Sequence, residues 1–492
     1  MRESSALTGQ SWARAPALLL PAGASNLFRI RPDPAGGILR RHPAAPASID
    51  LYDALSCLRR RDATHSIDHG PSRNAHMETH KENGMDAANR PNRRQVLLGS
   101  AAVVLTPGVA RAQAARPLKI GILNDMSSVY ADYQGVGSVV AAKLAVDDFS
   151  NTLGVPVEIV SADHQNKPDV GSAIARQWFD SDNVDVVMDL PNSAVALAVI
   201  AVAQEKNKAA IGSGAGSSVM TGPKCSPNFV HWTYDTYALG TGLGKALTEA
   251  GGKSWFFITA DYAFGKDLEA NCAAAVQAAG GKVVGSVRHP LNTADFSSFV
   301  LQAQNSGADT VGLANAGGDL NNCIKQAHEF GLGAKQRLAG LILNVTNIPS
   351  LGLDIVDGAT ICTGFYWDAN DGTRAFAKRF QAAHPKKMMP NDMHAGMYAA
   401  TEHLMKATAQ VKSADDGVKL IDAMKAIPTD DPLFGKGVIR VDGRKLHPMY
   451  LYKAKAPAQS KYDWDYFELV STIKPEDAFR PLDKGGCPFV KA

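Results

Sequence analysis

Leu118-Lys119-Ile120-Gly121-Ile122-Leu123-Asn124-Asp125 is a short β-rich run ending in polar residues, and the pattern downstream of it decides the fold. Val136, Val139, Val140 and Leu144 recur at helical spacing, so a helix succeeds the strand. The alternation then repeats. Val157-Glu158-Ile159-Val160 is a strand after a Gly-Val-Pro turn, Ile174 and Trp178 mark a helix, and Val184 to Met188 is the next strand. Ser193 to Gln204 reads as helical, and Ala209-Ala210-Ile211 as a strand running into a Gly-rich turn. A second series opens at Trp255-Phe256-Phe257-Ile258. It continues through Lys282-Val283-Val284, Asp309 to Leu313, Leu341-Ile342-Leu343 and Thr360-Ile361-Cys362. Strands alternating with helices of about 10–15 residues imply parallel sheets sandwiched by helices. Two such series, each roughly 120 residues long, predict two similar α/β lobes with a cleft between them.

Upstream of Pro117 the chain has another character. Asn92-Arg93-Arg94-Gln95-Val96-Leu97-Leu98-Gly99-Ser100, running on to Ala112-Gln113-Ala114, reads as an export signal within 77–114. It has paired arginines, a weakly apolar stretch and small-x-small cleavage sites. The paired arginines resemble the twin-arginine type, with Val96 where Phe is usual, so the general secretion route stays open. Residues 1–76, rich in Arg, Pro, Ala and Ser without helical or strand period, read as an over-extended start ahead of Met77 or Met85. A disordered extension is the alternative.

The leader also carries the basic charge. The chain has 51 Lys+Arg against 48 Asp+Glu, but residues 1–114 hold 15 and 9 of these, leaving 36 against 39. Nothing in that balance argues for nucleic acid or anionic lipid as a partner. No apolar run approaches the ~20 residues of a membrane span, and no Cys stands after the cleavage site to carry a lipid anchor. The expected product is soluble and periplasmic. Of the five cysteines beyond the leader, none forms a CxxC pair or a metal pattern. Cys272, Cys323 and Cys362 read as buried thiols within helices and a strand. Cys225 and Cys487 lie in turn-rich segments and are the candidates for one disulfide in an oxidising compartment.

Binding chemistry on open parallel sheets belongs to the loops beyond the strand C-termini. Asn124-Asp125-Met126-Ser127-Ser128, Asp189-Leu190-Pro191-Asn192-Ser193 and Ser213-Gly214-Ala215-Gly216-Ser217-Ser218 each come after a predicted strand. They offer hydroxyls, amides or free N–H groups at helix starts, a seat for a carboxylate. Helix capping is the competing role for each such residue. Gly212-x-Gly214-x-x-Ser217, with Asp235 further on, is a degraded dinucleotide fingerprint on the wrong strand, so no nicotinamide or flavin cofactor is expected. There is no G-x-S-x-G elbow, HExxH or Walker loop, and His231 and His394 read as structural. The chemistry points to capture without conversion, with neither catalytic residue nor metal.

The ordered series carries a more specific resemblance. Lys119 to Asp125, Asp261-Tyr262-Ala263-Phe264-Gly265, Lys325-Gln326-Ala327 near Phe330-Gly331, and Ala395-Gly396-Met397-Tyr398-Ala399-Ala400 appear in the family's order. Asp442-Gly443-Arg444 to Tyr450-Leu451 and Trp464-Asp465 complete it. Together, over about Pro117 to Pro488, they resemble the periplasmic ligand-binding proteins typified by the leucine/isoleucine/valine-binding protein (type I). The resemblance implies two Rossmann-like lobes with parallel central sheets, joined by a hinge of three crossings. Lobe 1 would take 117–237 plus 367–440, lobe 2 would take 238–366 plus 441–475, and 476–492 would form a tail. It implies a monomer that delivers a small solute to an inner-membrane ABC permease.

The family's pattern implies that Asn192, Ser193, Ala215, Gly216 and Ser217 hold a ligand carboxylate. An ammonium would be met by an acidic residue in the loop after a lobe-two strand, which here reads Leu341 to Asn347 and has no carboxylate. Asp261 and Asp319 are the substitutes in reach, since an unpaired ammonium costs several kcal/mol. That departure shifts the expected ligand toward a carboxylate without an α-amino group, such as an aromatic or apolar acid, or toward an amide, with amino acids still open. Tyr130, Tyr234, Tyr262, Phe264, Tyr366 and Trp367 are candidates to cover a ring or aliphatic tail. Ser127, Asn315 and Asp319 sit at strand-end turns and complete the candidate site. An exported α/β enzyme with a bound cofactor and a sensory binding protein are the alternatives to transport.

Overall fold

The computed structural model describes residues 116–491; the export-signal reading of 77–114 and the reading of 1–76 lie outside the described residues. The first lobe is built on β1 (Leu118–Asn124), β2 (Val157–Asp163), β3 (Val186–Asp189), β4 (Ala209–Gly212) and β5 (Phe229–His231). These form one parallel sheet in the order β2-β1-β3-β4-β5. Helices α1 (Gly135–Leu153), α2 (Pro168–Asp180) and α3 (Ser193–Glu205) fill the crossovers. Every residue of β3 and β4 is buried, which is why both read as unbroken apolar runs; helices cover both faces.

The second lobe repeats the plan. Helix α4 (Thr236–Glu249) leads into β6 (Ser254–Ala260), α5 (Ala263–Ala278), β7 (Lys282–His289), α6 (Ser297–Ser306), β8 (Thr310–Ala314), α7 (Gly317–Glu329) and β9 (Arg337–Gly340). The parallel order is β7-β6-β8-β9. Single-turn helices α8 (Ile348–Leu351) and α9 (Leu353–Val356) lead to β10 (Thr360–Thr363). The chain then returns to pack α10 (Asp371–Ala383) and α11 (Asp392–Val411) on α1, and α12 (Gly417–Ala426) on α11.

Two antiparallel units close the structure. β11 (Thr429–Asp431), β12 (Gly435–Ile439) and β13 (Lys445–Leu446) form one, and β10 joins β14 (Met449–Ala454) and β15 (Phe467–Ile473) in the other. Arg444 bridges to His231 at the rim of the first sheet. Residues 441–446, placed in lobe 2 by the resemblance, thus run beside the first sheet as part of the β12–β13 hairpin. The chain passes between lobes three times, near 232–235, 364–370 and 447–448. Cys225 and Cys487 form a disulfide with Cα atoms 5.6 Å apart, tying the tail to the loop after β4. Cys272, Cys323 and Cys362 are buried free thiols. Among the described residues no helix is long and apolar enough to cross a membrane.

One expected strand is displaced. The strand after α7 is Arg337–Gly340, not 341–343. Leu341, Ile342 and Leu343 are buried in the turn beyond it. A short apolar run has no periodicity of its own, and here it packs a turn against the cleft.

Candidate functional site

The lobes meet along the C-terminal ends of their parallel strands, and the cleft is closed. From the β1–α1 segment, Tyr130 Oη lies 2.5 Å from Tyr262 Oη at the start of α5. Tyr133 Oη donates to Ile342 O (2.9 Å) and Asn347 Oδ1 (2.8 Å). The Gly318 N–H donates to Val129 O at 2.9 Å. This approach requires Gly317, where φ is +60° and a Cβ would stand 2.1 Å from Val129 O. Nearer the hinge, Asp267 of α5 accepts from Ser217 Oγ (3.0 Å), Ser218 N (2.7 Å), Ser218 Oγ (2.9 Å) and Thr236 Oγ1. These charge-assisted bonds clasp a first-lobe loop to a second-lobe helix.

A narrow cavity remains between the lobes. Tyr130, Tyr133, Gln134, Pro191, Gly214 and Met393 line its first-lobe side. Tyr262, Phe264, Ala316 and Ile342 face them, with Tyr234 from the first crossing. None of these side chains is charged, and five of the eleven lining residues carry aromatic rings. A larger open groove of about 860 Å³ lies elsewhere on lobe 2, bordered by Gly252, Asp309, Arg337 and Thr360. Those residues mark the N-terminal ends of β6, β8, β9 and β10. Ligands on open α/β sheets bind beyond the opposite ends, so the smaller interlobe cavity is the candidate site.

The first-lobe loops are held by their own hydrogen bonds. Asn192 Oδ1 accepts from Ala194 N (2.9 Å) and Val195 N (3.2 Å), a helix cap. Ser193 Oγ accepts from Gly216 N (3.3 Å) and Ser217 N (3.1 Å), two N–H groups expected to face a ligand carboxylate. Ala215 O accepts from His231 Nε2 at 2.5 Å, and burial holds that imidazole well below its usual pKa. Asp189 and Leu190 both have positive φ, +88° and +59°, a conformation costing of order 1–3 kcal/mol per residue. Fully buried Asp189 accepts from Asn124 Nδ2 (2.9 Å), Ser213 Oγ (2.7 Å) and Gln134 Nε2, and desolvation raises its pKa. The glycine loop runs into a 3₁₀ turn, and Asp235 caps α4 through Ala238 N at 2.8 Å, so neither has a nucleotide's geometry.

Of the residues expected from sequence, Tyr130, Tyr234, Tyr262 and Phe264 meet at the cavity, with Asn192, Ser193, Ala215, Gly216 and Ser217 in the loops behind it. Three stand apart. Ser127 is exposed and bonds Asp163 at 2.6 Å. Asp261 is half exposed and pairs with Lys266 at 2.8 Å, because its residue precedes the cap and points outward. Tyr366 packs on Tyr452 and Phe467 and bonds Trp464 O at 3.0 Å, as does Trp367 Nε1, so both serve the β10-β14-β15 sheet. Asn315 Nδ2 lies 3.1 Å from His289 Nε2, behind the wall formed by Ala316. Asp319, in the first turn of α7, accepts from Asn292 N at 3.1 Å, and burial raises its pKa to about 7.

Sequence reasoning missed Tyr133, Gln134, Ala316, Ile342 and Met393. The three- and four-residue spacing of Tyr133 and Gln134 from Tyr130 was a usable signal. Met393 was not legible, since it reaches the cleft from α11. The adjacent Asp392 lies against the lobe-two loop. The lobe-two loop has no acid of its own, yet its Asn344 Nδ2 donates to Asp392 Oδ1 at 2.9 Å, and Thr363 Oγ1 holds the other oxygen at 2.9 Å.

Comparison with known proteins accords with this architecture. Residues 117–461 match the family described as periplasmic binding protein. A periplasmic binding protein from Burkholderia mallei is 44% identical with a TM-score of 0.74, the match covering 76% of this chain and 99% of that one. A branched chain amino acid ABC transporter periplasmic ligand-binding protein from Burkholderia xenovorans LB400 is 41% identical with a TM-score of 0.67, covering 76% and 99%. A Rhodopseudomonas palustris solute binding protein of an ABC transporter, solved in complex with benzoate, shares the fold at 22% identity (TM-score 0.66, covering 73% and 97%).

Proposed function

The chain belongs to the periplasmic binding protein family, and on that premise we propose that it is the exported solute-binding component of an ABC importer. It captures one small organic acid or amino acid between its lobes and delivers it to an inner-membrane permease. The observation that carries this reading is the closed, ring-walled cavity at the strand C-termini. In this closed form the cavity is narrow, far below the ~300–1,000 Å³ of drug-sized sites, and the solute it suits is one with a compact apolar body, admitted as the lobes part. Tyr130, Tyr133, Tyr234, Tyr262 and Phe264 cover that apolar body. The loops at Asn192-Ser193 and Ala215-Gly216-Ser217 receive the polar end, with Ser193 exchanging its internal N–H partners for the ligand. Closure signals loading, because both lobes contribute to the same small cavity. The aromatic acids stay within this ligand class: a protein of the same fold holds benzoate.

A thermal-shift screen against amino acids, aromatic acids, aliphatic acids and amides tests the reading. Ligand at ~100 times its Kd adds about 2.7 kcal/mol of stability. Stabilisation by one small acid class, lost in Phe264→Ala, is expected. A folded protein that responds to no class overturns it.

A further inference from the structure

The cavity wall contains one polar atom without a partner, and its orientation is fixed by a group behind it. Gln134 is 1% exposed and its Oε1 has no hydrogen-bond partner among the described residues. Its Nε2 donates to Asp189, which also accepts from Asn124 Nδ2 and Ser213 Oγ. Turning the amide over would set its oxygen against a carboxylate oxygen already used as an acceptor, so Asp189 fixes which end of the amide is free. Gly214 makes room for this arrangement, since a Cβ there would stand 1.6 Å from Gln134 Nε2. His394 Nε2 lies 3.2 Å from Gln134 O and holds the backbone, its imidazole kept neutral by burial.

The neighbouring hydroxyls are largely occupied. Tyr133 shares its one proton between Ile342 O and Asn347 Oδ1, Tyr234 donates to Gly214 O at 2.9 Å, and Tyr130 and Tyr262 bond each other, which leaves one proton of that pair free. The acceptor that the wall offers is therefore Gln134 Oε1, with the buried carboxyl group of Asp189 behind it and no lysine or arginine among the lining residues.

We infer that Gln134, oriented by Asp189, is the specificity-determining acceptor of the cleft and selects ligands that present an N–H or O–H donor over the same skeleton without one. The inference rests on the solute-binding reading and narrows its ligand class. Asp189 acts through Gln134 and is a positioning residue. The shared chemistry is a polar hydrogen on a small apolar acid, and it has two sources, the ammonium of an α-amino acid or the hydroxyl of a ring. A buried acceptor left unpaired disfavours the ligand that lacks the donor.

The test is calorimetric titration of the purified protein with matched pairs, L-leucine against 4-methylpentanoate and 4-hydroxybenzoate against benzoate. Wild type is expected to bind the donor-bearing member of at least one pair at least ~10-fold more tightly, the worth of about one hydrogen bond. The pair that responds identifies the source. In Gln134→Met that ratio is expected to fall to within about threefold, the loss falling on the donor-bearing member. In Asp189→Asn the amide is free to turn, and the ratio is expected to fall or invert. Circular dichroism establishes that each variant is folded, and the near-isosteric Asp189→Asn decides the matter if Gln134→Met does not fold. Binding with a wild-type ratio at or below one, or a ratio unchanged in both variants, overturns the inference alone. A folded wild type that binds none of the four, and nothing in the wider screen, overturns the solute-binding reading and this inference with it.

Discussion

The two walls of the cleft come from the same construction, a parallel strand followed by a loop and a helix, yet they do opposite things. In the first lobe the loops after β3 and β4 hold one another. Ser193 accepts from Gly216 and Ser217, Asn192 caps its own helix, and Asp189 gathers donors at a backbone with two successive positive φ values. In the second lobe the loops after β6, β8 and β9 present Tyr262, Phe264, Ala316 and Ile342, mostly apolar surface. One wall sets its rings on a preorganised polar frame, and the other is apolar covering. A site built this way takes its polar geometry from the first lobe and its apolar contact from both.

Substitutions on each side break that contrast in different ways. Phe264→Ala on the apolar side removes a buried aromatic and is expected to cost about 3–5 kcal/mol in urea unfolding; a loss under about 1 kcal/mol would mean the wall repacks freely. On the polar side, Asp189→Ala leaves the donors of Asn124, Gln134 and Ser213 buried without an acceptor. At roughly 1–3 kcal/mol each, reduced by relaxation, the expected cost is about 3 kcal/mol, measured the same way. Asp267→Ala separates the walls rather than damaging either. It removes a half-buried acceptor of charged hydrogen bonds worth roughly 1.5–3 kcal/mol at most, so a modest loss of stability is expected. Small-angle scattering should show a larger radius of gyration without ligand, and an unchanged radius would deny Asp267 the role of clasp.

The smallest effect concerns pH. Burial raises Asp319 to about 7, above its ordinary value near ~3.9. The folded protein therefore binds more protons than the unfolded chain between about pH 4 and 7. The stability contributed by neutral Asp319 is fully present below about pH 4 and is lost as pH rises through 7. Asp319→Asn should flatten the melting temperature across that window relative to wild type. An identical slope in both proteins would place the titration elsewhere.

Hydrophobic pattern alone carried the architecture. Buried parallel strands such as Val186–Asp189 and Thr310–Ala314 are apolar almost throughout because both faces are covered, and their alternation with helices leaves few topologies. The rings at 130, 234, 262 and 264 were legible because they flank strand ends. The strand read at 341–343 failed because apolar runs of three residues serve turns and strands equally well. Tyr366 and Trp367 failed as cleft residues because packing claimed them for the β10-β14-β15 sheet.

The features legible in the chain were therefore local: strand and helix periods, helix caps, and which loops lie at strand ends. Which donors and acceptors remain free was settled only by tertiary packing, within a lobe as well as between lobes. The N–H groups of Gly216 and Ser217 turn to Ser193, Asp392 reaches Asn344 from the α11 end of the other lobe, and Asp189 sets Gln134 with its oxygen unpaired. Hydrogen bonds between residues 23 to 55 positions apart leave no period in a sequence, because they depend on which loops the fold brings together.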